Sequence, residues 1–300
     1  MAEKEMDLRG AVLAFFLCVV FGSNALAIKI SVLWMPPILT AAVRFLIASL
    51  VVYAYAKWKG YPLGLDKNEW FHATIMGGLF GIQFIVLYIG IKSTSVSHSA
   101  ILMNTQPFFV AILAHFFLID DRLNLKKIFG IALAFVGVIL MFRHGAFEKS
   151  ASLRGDTLIT VSALVWAVQT VYIKRKLDDW DSIPLVLIPM VISDFILIAY
   201  SVFFEQDMTI IVNQAVVLSM LYQAVFVAGY GYIAWTDLIL RYKASHLSVF
   251  VFILPVTGTI LGAIFMGDPL TLDLLGGLLC ITVGILVVNI RPREAFVVPE

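Results

Sequence analysis

Residues His98 to Asp121 read HSAILMNTQPFFVAILAHFFLIDD. About twenty consecutive, mostly apolar residues suffice for a helix to cross the hydrocarbon core of a bilayer. Pro107 stands near the middle, with Asn104 and Gln106 beside it. A proline there deletes one backbone donor and clashes with the carbonyl four residues earlier, that of Met103. In hydrocarbon a carbonyl freed in this way is tolerated only against protein or a water-filled cavity. Two side-chain amides lie within one turn of the break, so the stretch predicts a spanning helix that borders a polar pathway beside Pro107.

Composition agrees with that span and multiplies it. Of the 300 residues, 61% are hydrophobic and 14% are charged, with a mean hydropathy of +0.97. An ordinary soluble domain carries about a quarter charged residues. The chain therefore reads as an all-α integral membrane protein whose partners begin with the lipid bilayer. A net charge of +1 gives no electrostatic case for nucleic acid. Cys18 and Cys280 both sit in apolar runs, far from any CxxC spacing. They read as small buried hydrophobes, so neither a disulfide framework, a metal site nor a cofactor is expected.

Hydropathy divides the chain into ten spans, at 10–30, 37–56, 70–91, 98–119, 126–142, 154–175, 184–204, 214–240, 246–266 and 271–290. The connections are too short for a soluble domain. With the N-terminus placed in the cytoplasm, fifteen of the 21 Lys and Arg residues fall on the inner side and five on the outer, with Arg44 inside a span. That bias places both termini in the cytoplasm. Lys4, Arg9, the run from Ala11 to Phe21 and Ala25-Leu26-Ala27 imitate a secretory signal with its cleavage site. The same segment has a counterpart in mid-chain, which cannot be a signal, so it is read as the first span.

That counterpart belongs to an internal repeat. Ser97-His98 followed by Pro107 recurs as Ser245-His246 followed by Pro255, 148 residues on. Asp121, Leu123, Gly130 and Gly137 match Asp268, Leu270, Gly277 and Gly284 at an offset of 147, as Pro37 matches Pro184. Gly10 and Gly155 are 145 apart. Five spans, 10–142, thus repeat as five spans, 154–290. Because five is odd, the second copy inserts upside down. Inverted repeats of this kind mark secondary transporters, with a substrate site near the midplane at the repeat interface.

The chain resembles the drug/metabolite transporter superfamily in its ten-span form with two EamA-type domains. The carrying residues are Phe21-Gly22-Ser23-Asn24-Ala25-Leu26-Ala27-Ile28-Lys29, Arg44-Phe45, the pattern from Ser95 through Pro107 to Asp121-Arg122-Leu123, and Gly130 with Gly137. The second half echoes them from Ala244 to Gly284. Members commonly carry Trp where Phe21 stands and Glu at Asp121 and Asp268. The resemblance implies alternating access around a central cavity lined mainly by the first, third, fourth, sixth, eighth and ninth spans. It also implies export of amino acids or related neutral or zwitterionic metabolites across the inner (plasma) membrane.

The candidate substrate-binding residues are Asn24, Gln83, Asn104, Gln106, Trp166, Gln169, Tyr230 and Trp235. Amides offer donor and acceptor together, and they fall on spans that the resemblance assigns to a cavity. Interhelical hydrogen bonding is the competing reading for each of them. Pro107 and Pro255 are the expected flexible points. Asn104 and Gln106 correspond to Phe252 and Leu254 in the second half, so the side of Pro107 is expected to make more of the substrate contact. Arg44 and Asp194 are the two charges deep in spans, at depths about 5 Å apart by helical rise. They read either as structural groups, in an ion pair or in separate hydrogen bonds to backbone carbonyls, or as functional ones, with Asp194 a proton-coupling carboxylate or Arg44 a clamp for a substrate carboxylate. Asp237 with Arg241 reads as a local i,i+4 salt bridge, Asp121 and Asp268 as helix caps, and His115 as a hydrogen-bonded structural histidine.

An enzyme would need a catalytic constellation at membrane depth. The sequence carries no HExxH, G-x-S-x-G or phosphate-cradling glycine loop, and no aspartates paired one turn apart within a span. A receptor-like or structural membrane protein is the remaining alternative, though it would not require an inverted repeat with a proline in each half.

Overall fold

The structure, a computed structural model, describes residues 6–93, 102–119, 121–141, 153–206, 209–266 and 272–289. Ser97, His98 and Asp268, which mark the repeat in the sequence, lie outside these residues.

Among the described residues ten helices follow in order: α1 (Leu8–Val32), α2 (Pro37–Lys59), α3 (Lys67–Ser93), α4 (Gln106–Phe117), α5 (Leu125–Met141), α6 (Leu153–Lys176) and α7 (Ser182–Phe204) come first. The helix α8 runs from Gln214 to Arg241, and its middle, Tyr222–Gly231, widens to π winding. The next, α9, comprises Ala244–Ser248, a 3₁₀ stretch Val249–Phe252 and Ile253–Met266, and α10 is Leu272–Asn289. Among the described residues α1, α2, α3, α6, α7 and α8 are each long and apolar enough to cross a membrane.

Local chemistry fixes the ends. Asp7 caps α1 through the Gly10 amide at 2.7 Å. Pro37 opens α2, and Gly60, at φ 73°, closes it in the left-handed conformation that glycine adopts without strain. Asp66 and Glu69 form a reciprocal capping box before α3, with both bonds at 2.7 Å. Helical winding breaks at Asn104 and Thr105, and α4 starts with Pro107 in its first turn. There the Thr105 hydroxyl and the Thr105 amide both donate to the Leu102 carbonyl, at 2.6 and 3.0 Å. In α9 the 3₁₀ stretch ends three residues before Pro255. The break precedes the proline in both halves.

The helix pairing obeys the repeat. Exchanging each helix for the one five places on turns α1–α9 into α6–α4, α1–α8 into α6–α3 and α2–α8 into α7–α3, and all six contacts are present. The pairs α2–α7, α4–α9 and α5–α10 map onto themselves. The fold is therefore two inverted five-helix repeats related by a pseudo-twofold. Glycines show it atom by atom. A Cβ on Gly130 would lie 2.8 Å from the carbonyl oxygen of Gly284, and one on Gly137 would lie 2.6 Å from that of Gly277. Since Gly277 and Gly284 are the counterparts of Gly130 and Gly137, each glycine crosses the image of the other, as a twofold contact requires.

Contacts at the helix ends define two faces. On the near face, where α1 begins, Tyr242 donates to Asp7 at 2.7 Å and Lys174 donates to the Leu240 carbonyl at 2.9 Å. On the far face Ser31 and Ser219 share a hydrogen bond of 2.7 Å, and Gln223 donates to Ser31 at 2.9 Å. There too, Glu205 at the end of α7 accepts the Ile38 and Leu39 amides of α2, both at 2.9 Å.

Candidate functional site

A cavity of about 210 Å³ lies between the repeats. Its walls come from Phe21 and Asn24 of α1, Met76 to Leu87 of α3, Met103 ahead of α4, Trp166 to Ile173 of α6, Leu185 to Met190 of α7, Val227 to Ile239 of α8 and Leu254 of α9. No lining side chain is charged. Phe21, Phe80, Phe84, Trp166, Tyr232 and Trp235 give it an aromatic wall, and Asn24, Gln83, Gln169, Thr170 and Thr236 supply polar groups.

Of the eight candidates from sequence, the structure brings five together: Asn24, Gln83, Trp166, Gln169 and Trp235. Gln169 Nε2 donates to Gln83 Oε1 at 2.8 Å, joining α6 to α3 across the repeat boundary. The other three stand elsewhere. Asn104 and Gln106 are buried, at 4% and 1% exposure, but do not line the cavity. Met103 is the contribution of their stretch, and Leu254, the counterpart of Gln106, does line it. Tyr230 is 55% exposed on the outer surface, and Phe226 beside it is 59% exposed. In the π segment these residues share a face that points away from the helical core, while Tyr232 and Trp235, beyond that segment, turn inward.

Two features were missed. Tyr232 and Thr236 continue the α8 wall beside Trp235. More important, α7 lines the cavity through Leu185, Val186, Pro189 and Met190, whereas their α2 counterparts Ile38, Leu39, Ala42 and Val43 do not. The signal available was Pro189, a second proline inside a spanning helix. It faces α3 at Gly77, where a Cβ would meet the Pro189 carbonyl at 3.1 Å and Ile192 at 2.6 Å. Because the start of α7 and the ends of α6 and α8 contribute, the cavity is displaced towards the near face. On the far face the Ser31–Ser219–Gln223 bonds and the Glu205 clamp hold the helices together.

Arg44 and Asp194 stand outside the lining, at 1% and 4% exposure. Among the described residues Ser49 is the hydroxyl neighbour of the Asp194 carboxylate, while the guanidinium nitrogens have no hydrogen-bond partner and the two charged groups do not touch as an ion pair. They are nevertheless within electrostatic reach of one another. The Arg44 guanidinium instead stacks on rings, 4.2 Å from the centroid of Phe45 and 5.3 Å from that of Phe84. Since Phe84 lines the cavity, the cation stands directly behind its wall. Elsewhere the structural readings hold: Asp237 pairs with Arg241 at 2.9 Å, and His115 Nδ1 accepts the Leu123 amide at 3.3 Å.

The sequence matches the EamA-like transporter family over residues 8–143 and again over 153–290. The chain belongs to the EamA-like transporter family. It is a multi-pass membrane transporter and not an enzyme. Relatives agree: it is 29% identical over 289 residues to the "Uncharacterized transporter YvbV" of Bacillus subtilis, covering 95% of this chain and 93% of the relative. It is 26% identical over 291 residues to a "Probable amino-acid metabolite efflux pump" of Salmonella typhimurium, covering 93% and 94%. A protein of the same description from Escherichia coli is 26% identical over 303 residues, covering 97% and 98%. A crystal structure of a protein with 18% identity superimposes at a TM-score of 0.82 over 94% of this EamA chain and 97% of its own, a likeness of fold.

Proposed function

We propose that the protein is a secondary transporter of the inner (plasma) membrane that exports an amino acid or a related neutral or zwitterionic solute. The observation that carries this reading is the cavity: small, walled by amides and aromatic rings from both inverted repeats, and free of lining charge. Drug-sized ligands occupy pockets of roughly 300–1,000 Å³, so a volume of about 210 Å³ suits a small metabolite. The efflux-pump descriptions of the Salmonella and Escherichia relatives point to the same class.

In this reading the near face is cytoplasmic and the solute loads from it. Asn24, Gln83, Trp166, Gln169 and Trp235 contact the solute, and Pro107 and Pro255 are the points about which the ends of α4 and α9 bend. Opening the far face requires parting the Ser31–Ser219–Gln223 contacts and releasing α2 from Glu205. Asp194, a carboxylate buried inside α7, is the group assigned to proton coupling.

Purified protein in proteoliposomes, loaded with a panel of amino acids and related metabolites and assayed with and without a pH gradient, tests the reading. Saturable flux of at least one such solute is expected, and Asp194→Asn should abolish its response to the gradient. Absence of flux across the whole panel would overturn the substrate class. An unchanged gradient response in Asp194→Asn would remove the proton role alone.

A further inference from the structure

The two sides of the cavity are images of one another, and one hydrogen bond is missing from the second. Phe21 and Asn24 on α1 correspond to Trp166 and Gln169 on α6, at the offset of 145 that relates Gly10 to Gly155. The α3 wall residues Phe80, Gln83, Phe84 and Leu87 share their spacing with Tyr232, Trp235, Thr236 and Ile239 on α8. The pseudo-twofold therefore carries the Gln83–Gln169 side onto the Trp235–Asn24 side.

On the first side the amides satisfy each other through the 2.8 Å bond from Gln169 to Gln83. On the second side an indole replaces one amide, and asparagine is one methylene shorter than glutamine. No bond forms. Asn24 lines the cavity at 8% exposure, and its Oδ1 has no hydrogen-bond partner among the described residues. A buried acceptor left unmade is costly, so at a residue that lines the cavity a donor on the solute would be stabilising. The same wall holds Phe21, packed edge-on against Tyr232 and Trp235 at centroid distances of 5.9 and 5.7 Å. An acceptor oxygen among aromatic rings, with no lining cation to repel it, suits an N–H donor carrying positive charge.

We propose that the Asn24 side chain, its amide turned to present Oδ1 to the cavity, is the subsite for the amino group of the substrate, in the wall it shares with Phe21, Tyr232 and Trp235. The ligand class is a small solute with a primary ammonium, its body lying against the Gln83–Gln169 side. This inference rests on the proposed transport of an amino acid or related solute and specifies which end of it the protein reads.

The test uses the full chain in proteoliposomes with L-leucine and L-phenylalanine, and with 4-methylpentanoate and 3-phenylpropanoate as competitors that lack only the amino group. Wild type should be inhibited far less by the des-amino acids than by the amino acids. Asn24→Leu should raise KM for the amino acid about tenfold, the effect of one hydrogen bond of ordinary net strength, and should lose that preference. Asn24→Asp keeps an acceptor and should keep the preference, which guards against a folding defect in the leucine variant. Quenching of tryptophan fluorescence by the amino acid, absent from the quenching profile of Trp235→Phe, supplies a readout independent of flux. Flux in wild type with unchanged KM and preference in Asn24→Leu overturns this subsite while the substrate class stands. No flux of either amino acid in wild type overturns it together with the reading beneath it.

Discussion

The Asp121 carboxylate, at the foot of the first repeat, accepts the backbone N–H of Ser245 in the second, at 2.8 Å. It also accepts the Ser245 hydroxyl and the Lys127 ammonium, and it is 1% exposed. An acidic residue at this position caps the first turn of α9, a helix of the other repeat, and so ties the two halves together on the near face.

A pH dependence follows from that tie. Burial alone would raise this carboxyl, but the Lys127 ammonium and the hydrogen bonds from Lys127 and Ser245 outweigh it and hold the group below the usual carboxylate range. The folded value is depressed, so its stabilisation is complete above the unfolded value of about 3.9 and is lost as pH falls through the lower folded one. Asp121→Asn should cost about 3–5 kcal/mol at neutral pH, because it strands Lys127 at 5% exposure. Thermal unfolding in detergent should show the gap between variant and wild type narrowing as pH drops below about 4. A gap constant from neutral pH to pH 3 would show that the ion pair is not its source.

How much of this was legible varies by element. The ten spans and their repetition were plain, because apolar runs and the ladder of prolines, glycines and aspartates survive in one dimension. The amides of α1, α3 and α6 were legible as cavity residues because an amide at membrane depth needs a partner or a job. Asp121 was legible as a cap, but not which helix it caps, since sequence spacing says nothing about contacts across the pseudo-twofold. Tyr230 was grouped with Trp235 because both aromatics lie on α8, and sequence spacing does not show that Tyr230 turns outward where Trp235 enters the cavity wall. The wall on α7 was missed because apolar side chains look alike whether they face a cavity, a neighbour or lipid. In α2 and α7 only packing decides between them.

Glu205 is the second tie, and it should act on conformation more than on folding. Its carboxylate accepts two amides at the positive end of α2 and the Ser201 hydroxyl at 2.9 Å. Charge-assisted bonds of this type contribute roughly 1.5–3 kcal/mol, a ten- to hundredfold bias towards a closed far face. Glu205→Gln should therefore speed labelling of a cysteine at Met220 by a membrane-impermeant maleimide added on the far side, in a background with Cys18 and Cys280 replaced by alanine. Glu69→Gln, in an exposed capping box on the near face, should leave the rate unchanged. Equal rates in all three proteins would sink the latch.

Glycines divide by what surrounds them. A methyl group on Gly284 would lie 2.5 Å from the Gly130 carbonyl oxygen and 2.7 Å from the Ala134 amide nitrogen, and backbone cannot step aside as a side chain can. Gly284→Ala should lower stability by about 1–3 kcal/mol by forcing α5 and α10 apart. Gly78, on α3, has open space where its methyl group would go. Gly78→Ala should be neutral or stabilising by about 0.5–1 kcal/mol through helix propensity. Paired melting curves in the same detergent decide the matter, and equal losses for both would mean that close approach is not what these glycines provide.

Tyr230 and Trp166 test where the substrate path runs. Tyr230 is 55% exposed on the outer surface of α8, whereas Trp166 stands in the cavity wall opposite Phe21. If solute passes through the cavity, Tyr230→Leu exchanges one lipid-facing apolar body for another and should leave KM and maximal flux within about twofold of wild type. Trp166→Ala removes a large aromatic surface from the wall and should raise KM roughly tenfold or more, at the upper end of what apolar contact discriminates. Trp166→Phe should recover part of that loss, because ring area and not the indole N–H carries the contact. The reverse ranking, with Tyr230→Leu the damaging change, would place the path on the outer face of α8.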